Sequence, residues 1–331
     1  MKNLIFIFTT LIIITSCGGG GGGGGGGLGG GASSPSYNYV KMLDRLENGS
    51  ISSFNEVGRS LIYTYHEESN SYWYSSRDEN FNLSFSRTTD SSGNEVVSVS
   101  YNQNVNVIPD GYTTDLNYNR SYEITLDGYQ INQISNAPNY ANAFEYYSNA
   151  SLSIFGTWEP DLYPGTEYVD MIMWHMDYDN GYMDDFVSFA YGDKTFSGDM
   201  PSTGSANFSI ASFGFWNYNN NVYYFKGDGQ LTADFASMTL SGQINNDYVT
   251  DSPYGWSQII GASVGTISLT GDISGASFSG DVEWAGSGLD NGDFEGSFFG
   301  PDAKEVGGTY VASESENGYS NNITGSFIGT Q

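Results

Sequence analysis

The second half of the chain alternates apolar and polar residues with a period of two. Leu231, Ala233 and Phe235 are separated by Thr232 and Asp234, and the same alternation returns in later segments. Those segments carry Ile267 and Leu269; Phe294, Gly296 and Phe298; Val306, Gly308, Tyr310 and Ala312; and Ile323, Gly325, Phe327 and Gly329. Because successive side chains of a strand point to opposite faces, the pattern predicts strands with one buried face.

Glycine-rich turn sequences divide this region into about eight strands between Ser205 and Thr330. The predicted turns are Gly227–Gly229, Asp290–Gly292 and Glu316–Gly318. Eight antiparallel strands with small residues on one face can close into a barrel, which removes exposed sheet edges. We therefore predict an eight-stranded barrel, with a β-sandwich as the alternative.

The first half also favours strands, although less regularly. Phe81–Phe85 and Val97–Tyr101 show period-two alternation and are joined across the turn-like Asp90–Asn94. Further strands are predicted at Leu152–Trp158, Tyr168–Met176 and Tyr182–Tyr191. A helix is predicted at Tyr39–Leu46 from its three-residue apolar spacing, and Val105–Asn149 is expected to be loop-rich. The expected result is a strand-rich domain over residues 37–197 without an obvious single sheet.

The N-terminus has the features of an export signal followed by a flexible tether. Leu4–Ile14 is a mostly apolar run that is too short to cross a hydrocarbon core of about 30 Å, but it suits a secretory signal. Ile14–Cys17 resembles the lipobox of bacterial lipoproteins, in which the cysteine is lipidated after cleavage. Gly18–Gly31, interrupted only by Leu28, cannot nucleate a helix and spans about 20 Å as a flexible coil.

We therefore expect a signal peptide at residues 1–16, lipidation of Cys17, and a tether over residues 17–36. The alternative is an ordinary signal peptide with a chance cysteine. Gly18, rather than aspartate, follows Cys17, which resembles outer-membrane sorting of such lipoproteins. Because Cys17 is the only cysteine, no disulfide can form within the chain.

The composition excludes some partners. The formal net charge is −28, which opposes binding to nucleic acid or to anionic lipid, so membrane contact is expected only through the lipid anchor. Only 15% of the residues are charged while 16% are aromatic, which is unlike a disordered chain. The acidity fits either solubility outside the cell or a basic protein partner.

Several segments in the C-terminal part carry a family resemblance, and the most specific is Gly296–Tyr310, which reads GSFFGPDAKEVGGTY. With Met200–Ala206, Gly229–Phe235 and Gly325–Phe327, it resembles the β-barrel domain of transferrin-binding protein B type lipoproteins. That group is similar in architecture to the factor H-binding proteins. The resemblance implies a barrel over residues 198–331 and a handle domain over residues 37–197. Full members have two such lobes, and this chain has room for one.

The resemblance further implies a surface lipoprotein that binds a macromolecule or an iron or haem carrier. It also implies an outer-membrane TonB-dependent receptor and surface translocation machinery as partners. The alternatives are a structural, adhesive or immune-evasion surface protein without cargo, and a direct binder of haem or a small solute. We expect no enzymatic activity, because the sequence has no free thiol for a nucleophile, no G-x-S-x-G motif and only two histidines.

Aromatic residues beside Asn-, Gly- and Ser-rich loops are the candidate binding residues: Trp216, Tyr218, Tyr254 and Trp256. Tyrosine and tryptophan are enriched at binding hot spots, although packing inside the barrel is the alternative for each. Met171, Met173 and His175 share one face of a predicted strand and form a weak candidate for a haem site. Methionines that fill gaps in a core are the alternative, and no cofactor is otherwise expected.

Overall fold

The computed structural model describes residues 37–41, 52–66, 71–89, 93, 95–107, 114–125, 131–134, 141–148, 165–178, 183–218, 221–250, 263–284, 292–316 and 319–331. These residues contain sixteen strands, arranged as one open sheet and one closed barrel, and a 3₁₀ turn at Pro301–Ala303. No helix among them is long and apolar enough to span a membrane. Asn38–Gln331 is one compact unit, so the sheet and the barrel belong to the same folded body.

The first eight strands form a single sheet in the order β5-β4-β3-β2-β1-β8-β7-β6. Their bounds are β1 Ser52–His66, β2 Ser71–Thr89, β3 Glu95–Val107, β4 Thr114–Thr125, β5 Ile131–Ile134, β6 Ala141–Ser148, β7 Val169–Tyr178 and β8 Met183–Gly192. The β2–β3 hairpin confirms the predicted pair of strands, and the antiparallel pairing of β7 with β8 confirms the strands predicted before and after residue 180.

Two expectations for this part of the chain are wrong. A single sheet exists, and strands β4 to β6 lie in the segment Val105–Asn149 that was expected to be loop-rich. Strand β4 places Leu116, Tyr118, Tyr122 and Ile124 at alternate positions between polar residues, and it pairs with β3 without interruption. Tyr39–Lys41, at the start of the predicted helix, are not helical; the rest of that segment and Leu152–Trp158 lie outside the described residues.

Strands β9 to β16 close into an antiparallel barrel in the order β10-β11-β12-β13-β14-β15-β16-β9. Their bounds are β9 Ser205–Tyr218, β10 Asn221–Asp234, β11 Thr239–Thr250, β12 Gly265–Ser274, β13 Ser277–Trp284, β14 Gly292–Phe299, β15 Glu305–Glu316 and β16 Tyr319–Thr330. The prediction of eight strands between Ser205 and Thr330 is confirmed. Because the sheet closes into a barrel, the β-sandwich alternative is wrong.

The alternating apolar residues fill the barrel interior. Leu231, Ala233 and Phe235 are buried together with the inward residues of the other strands. The ring of Phe278 lies 5.2 Å from that of Phe298 and 6.3 Å from that of Phe327. Residues 227–229 are not a turn, because β10 continues through them with a register shift between Lys226 and Asp228.

A second apolar core lies between the outer wall of the barrel and the open sheet. Phe213, Phe215 and Ile328 of the barrel are buried against Val169 and Met171 of β7. The hydroxyl of Ser188 on β8 also donates a buried 2.6 Å hydrogen bond to the hydroxyl of Ser326 on β16. The sheet therefore packs against one side of the barrel wall.

Candidate ligand-binding surface

The up-and-down topology gives the barrel two different ends. One end, here called the basal end, carries the connections after β10, β12 and β14, including the 3₁₀ turn at Pro301–Ala303. The opposite end, called the distal end, carries the connections after β9, β11, β13 and β15, which lie at residues 219–220, 251–264, 285–291 and 317–318. Strand pairing fixes which residues reach each end.

Residues Tyr39–Lys41 are bound at the basal end. The Tyr39 hydroxyl donates a 2.8 Å hydrogen bond to Asp199 Oδ2 and accepts one of 2.8 Å from the backbone N–H of Phe196. The N–H of Val40 donates to Asp193 Oδ2 at 2.8 Å. Asp193 also accepts, through its backbone carbonyl, from the N–H of Gly300 in the β14–β15 connection. The glycine-rich tether in the sequence is therefore followed by a segment bound to the basal end.

We expect the Tyr39 contacts to be sensitive to high pH. Burial, together with the carboxylates of Asp199 and Asp193, raises the pKa of Tyr39 to about 12 from 10.0, whereas the N–H of Phe196 lowers it. Because the folded-state pKa is the higher one, the contribution of Tyr39 to stability is complete below pH 10 and is lost as the pH rises towards 12.

Tyr39→Phe should lower the free energy of unfolding by about 1 kcal/mol at neutral pH, since two hydrogen bonds are lost. The difference between the variant and the wild type should shrink between pH 10 and 12. Urea titrations at several pH values measure both effects, and a difference that stays constant across this range contradicts the assignment.

Glu305 joins the open sheet to the barrel. Its side chain is completely buried, and it accepts hydrogen bonds from three consecutive backbone N–H groups, those of Glu167, Tyr168 and Val169, at 2.7, 2.7 and 3.0 Å. Burial raises the pKa of the Glu305 carboxyl, while these three donors and Lys304 oppose the rise. These donors lie at the start of β7, so one carboxylate holds the β7 segment against β15.

Gly300 and Lys304 complete this junction. Gly300 has a φ of 71°, and a Cβ there would lie 2.5 Å from the Tyr168 ring. Lys304 pairs with Glu167 and lies 5.5 Å from the centre of the Tyr168 ring. Hydrogen bonds from Lys304 and Lys41 lower the pKa of Glu167. The GPDAKEVGG part of the sequence signature therefore builds a domain junction, a role that the sequence alone did not indicate.

The distal end carries a cluster of aromatic side chains, defined here as Trp216, Tyr218, Tyr223 and Trp284. The Trp216 ring lies 4.9 Å from Tyr218, 5.7 Å from Tyr223 and 6.4 Å from Trp284. Trp284 is buried and its indole N–H donates to the carbonyl of Val264, whereas Tyr218 is 41% exposed. The cluster thus leads from the barrel core to the surface.

The candidate binding residues have different places in this cluster. Trp216 is half-buried and packs against the barrel core, and its indole nitrogen is buried without a hydrogen-bond partner among the described residues. Tyr218 ends β9 at the surface. Tyr254 and Trp256 lie outside the described residues, in a connection whose flanking strand ends are at the distal end. The sequence analysis missed Trp284. Its position as the last residue of β13 is the one feature of the sequence that could have placed it at an end of the barrel.

Of the three residues proposed as a haem site, only Met171 has a described side chain. Met171 on β7 is buried in the second core, which agrees with the gap-filling alternative. His175 lies on the same strand, paired with Glu145 and Phe186, and its side chain is outside the described residues. Within the described part of the chain, no three histidine, cysteine or carboxylate side chains are grouped to hold a metal ion. Cys17 also lies outside the described residues.

The sequence of the barrel matches a known family. A family model described as the C-lobe and N-lobe beta barrels of Tf-binding protein B matches residues 192–331. This segment is a transferrin-binding protein B-like barrel domain. The resemblance carried by Gly296–Tyr310 is therefore confirmed for the barrel, together with the all-β fold.

Solved structures of transferrin-binding protein B resemble the chain only distantly. A mutant from Haemophilus parasuis Hp5 is 12% identical with a TM-score of 0.39, covering 86% of this chain and 77% of that one. Intact Ap-TbpB, with N and C lobes, is 9% identical with a TM-score of 0.35, covering 88% and 77%. The isotype 1 protein from serogroup B Neisseria meningitidis is 12% identical with a TM-score of 0.33, covering 82% and 62%.

These TM-scores lie below 0.5, so the assignment of the barrel depends on its sequence match. No curated protein matches the chain.

Proposed function

We propose that this protein is a lipid-anchored surface protein of the outer membrane whose distal end binds a macromolecular ligand, an iron or haem carrier protein. The observation that carries the proposal is the arrangement of the barrel. Tyr39–Lys41, which follow the tether, are bound at the basal end, and the aromatic cluster lies at the opposite end. A lipid at Cys17 would hold the basal side nearer the membrane and present the distal end to partners.

The exposed part of the cluster has the chemistry of a protein-binding hot spot. Tyr218 offers an aromatic face and a hydroxyl at the surface, and Trp216 supports it from within the barrel. Aromatic side chains of this kind bury much area at low entropy cost. The barrel domain belongs to a family of binding proteins, which supports a protein ligand, and an outer-membrane TonB-dependent receptor is the proposed recipient of the cargo.

We expect Tyr218→Ala to weaken ligand binding by about 2 kcal/mol or more, which is roughly thirtyfold. The experiment immobilises residues 37–331 and measures binding of transferrin and of haem-carrying host proteins. Phe196→Ala is the matched control, because Phe196 is 46% exposed beside the basal end while Tyr218 is 41% exposed at the distal end. Equal loss in both variants, or none in Tyr218→Ala, would remove the distal end as the binding site.

The net charge of −28 adds a second expectation for the same ligand. Association with a basic protein should slow as salt rises, because the screening length falls from about 10 Å at 0.1 M to about 3 Å at 1 M. Stopped-flow measurements at several salt concentrations would show this, and an association rate independent of salt would exclude electrostatic attraction.

A further inference from the structure

Residues Tyr39–Lys41, here called the basal strap, join the tether side of the chain to the folded body through polar contacts. Three carboxylates from separate parts of the chain hold the strap, one against each of its residues in order: Asp199, Asp193 and Glu167. The Tyr39 ring also packs edge-on against the Tyr168 ring, with the ring centres 6.1 Å apart. The strap is therefore attached at several points, all of them close to the basal end.

The attachment of the basal strap is weak compared with that of the strands. Tyr39 and Val40 are only half-buried, Lys41 is exposed, and neither of the two apolar cores described above includes a strap residue. Exposed ion pairs such as the one between Lys41 and Glu167 contribute little to stability. The next described element along the chain is β1, and all fifteen of its residues pair with β2. A force applied through the tether therefore reaches the weaker attachment first.

The strap also lies on the path of force between the membrane and a bound ligand. It is held at the basal end, whereas the aromatic cluster lies at the distal end. Under the proposed function, on which this step rests, a lipid at Cys17 holds one side of the molecule and a ligand at Tyr218 holds the other. Tension between the two passes through the strap before it reaches the strands.

Release of the strap changes how far the folded body can move from its anchor. At about 3.5 Å per extended residue, the chain from Cys17 to Tyr39 spans at most about 75 Å. The chain from Cys17 to Ser52, the first residue of β1, spans at most about 120 Å. The strap therefore limits the reach of the tether, and its release extends that reach by up to about 45 Å.

We propose that the basal strap is a tension-sensitive latch. It opens when the anchored protein holds a distal ligand under load, and it thereby lengthens the tether without unfolding a strand. The latch can be tested without a ligand or a lipid, because the contacts of the strap lie within this chain. Failure of the ligand-binding experiment would leave the latch intact, and failure of the latch would leave ligand binding intact, so the two failures are distinguishable.

Single-molecule pulling on the unlipidated full-length chain tests the latch. One DNA handle is attached through the thiol of Cys17, which is the only cysteine, and the other through Tyr218→Cys at the distal end. These two points reproduce the path between membrane and ligand. We expect a reversible extension step of at most about 45 Å, at a force below the one that unfolds the strands.

Substitutions in the strap assign the step to its contacts. At constant force, Tyr39→Phe removes both hydrogen bonds of the hydroxyl and should raise the rate of opening by about fivefold or more. Tyr39→Ala combined with Lys41→Ala should remove the step. Lys304→Ala is the matched control, because it removes the other cation paired with Glu167 and leaves the Lys41 contact in place.

A step that both strap variants alter and that Lys304→Ala leaves unchanged supports the latch. The absence of any step before the strands of the wild type unfold overturns the proposal, and so does a step that survives the double variant. A step that Lys304→Ala changes as much as Tyr39→Phe does also overturns it, because the junction around Glu167 would then be opening instead of the strap.

Discussion

Glu305→Ala should lower the free energy of unfolding of residues 37–331 by about 3 kcal/mol or more. The alanine leaves the N–H groups of Glu167, Tyr168 and Val169 without their acceptor in a buried junction. Each unsatisfied buried donor destabilises by about 1–3 kcal/mol, and partial relaxation of the β7 segment reduces the sum. Urea denaturation followed by tryptophan fluorescence measures the change.

Two further variants test whether the loss of stability comes from the Glu305 carboxylate or from any substitution at this junction. Glu305→Gln keeps one acceptor oxygen and should recover part of the loss. Lys304→Ala removes a side chain that is 43% exposed and paired with Glu167, so it should change stability by about 1 kcal/mol or less. If Glu305→Ala and Lys304→Ala were equally mild, the carboxylate would not be the contact that holds the sheet to the barrel.

Cys17→Ala should abolish membrane anchoring of the full-length protein. The lipobox-like Ile14–Cys17 offers this thiol as the site of lipid attachment, and the chain has no other cysteine. We expect the variant to accumulate uncleaved or to be released, and to move from the detergent phase to the aqueous phase in a phase-separation assay.

Leu28→Ala is the control, because it changes the one apolar residue of the glycine tether and leaves the cysteine intact. A cleaved Cys17→Ala protein that still enters the detergent phase would show that another feature holds it at the membrane. Mass spectrometry of the mature N-terminus of the wild type should find residue 17 carrying acyl chains.

The barrel could be predicted from sequence because its strands are amphipathic. Val306 and Tyr310 of β15 face the barrel interior, and the alternation of apolar and polar residues follows because only one face of the strand is buried. The open sheet was harder to predict, because it depends on pairing between strands that are distant in sequence, such as β1 with β8. A pattern along one strand does not contain that information.

The junction and the basal contacts could not be predicted because their partners are distant in sequence. Glu305 is 136 residues from Val169, and Tyr39 is 160 residues from Asp199. Tyr39 was assigned to a helix because the local apolar spacing resembles one, whereas hydrogen bonds to the barrel determine its conformation. At the candidate site, Trp216 and Tyr218 were recognised from their residue types, but the buried contact with Trp284 depends on barrel closure.

The separation of the two barrel ends has a consequence for how such a protein can diversify. The distal connections join strand ends whose positions are already fixed by pairing along the barrel wall. Doubling the length of a flexible connection therefore destabilises the fold by only about 0.6 kcal/mol. Insertions and substitutions in these connections therefore leave the strand pairing of the barrel and the contacts of Glu305 in place. Under the proposed function, changes confined to the distal end would alter ligand specificity while the barrel scaffold stays the same.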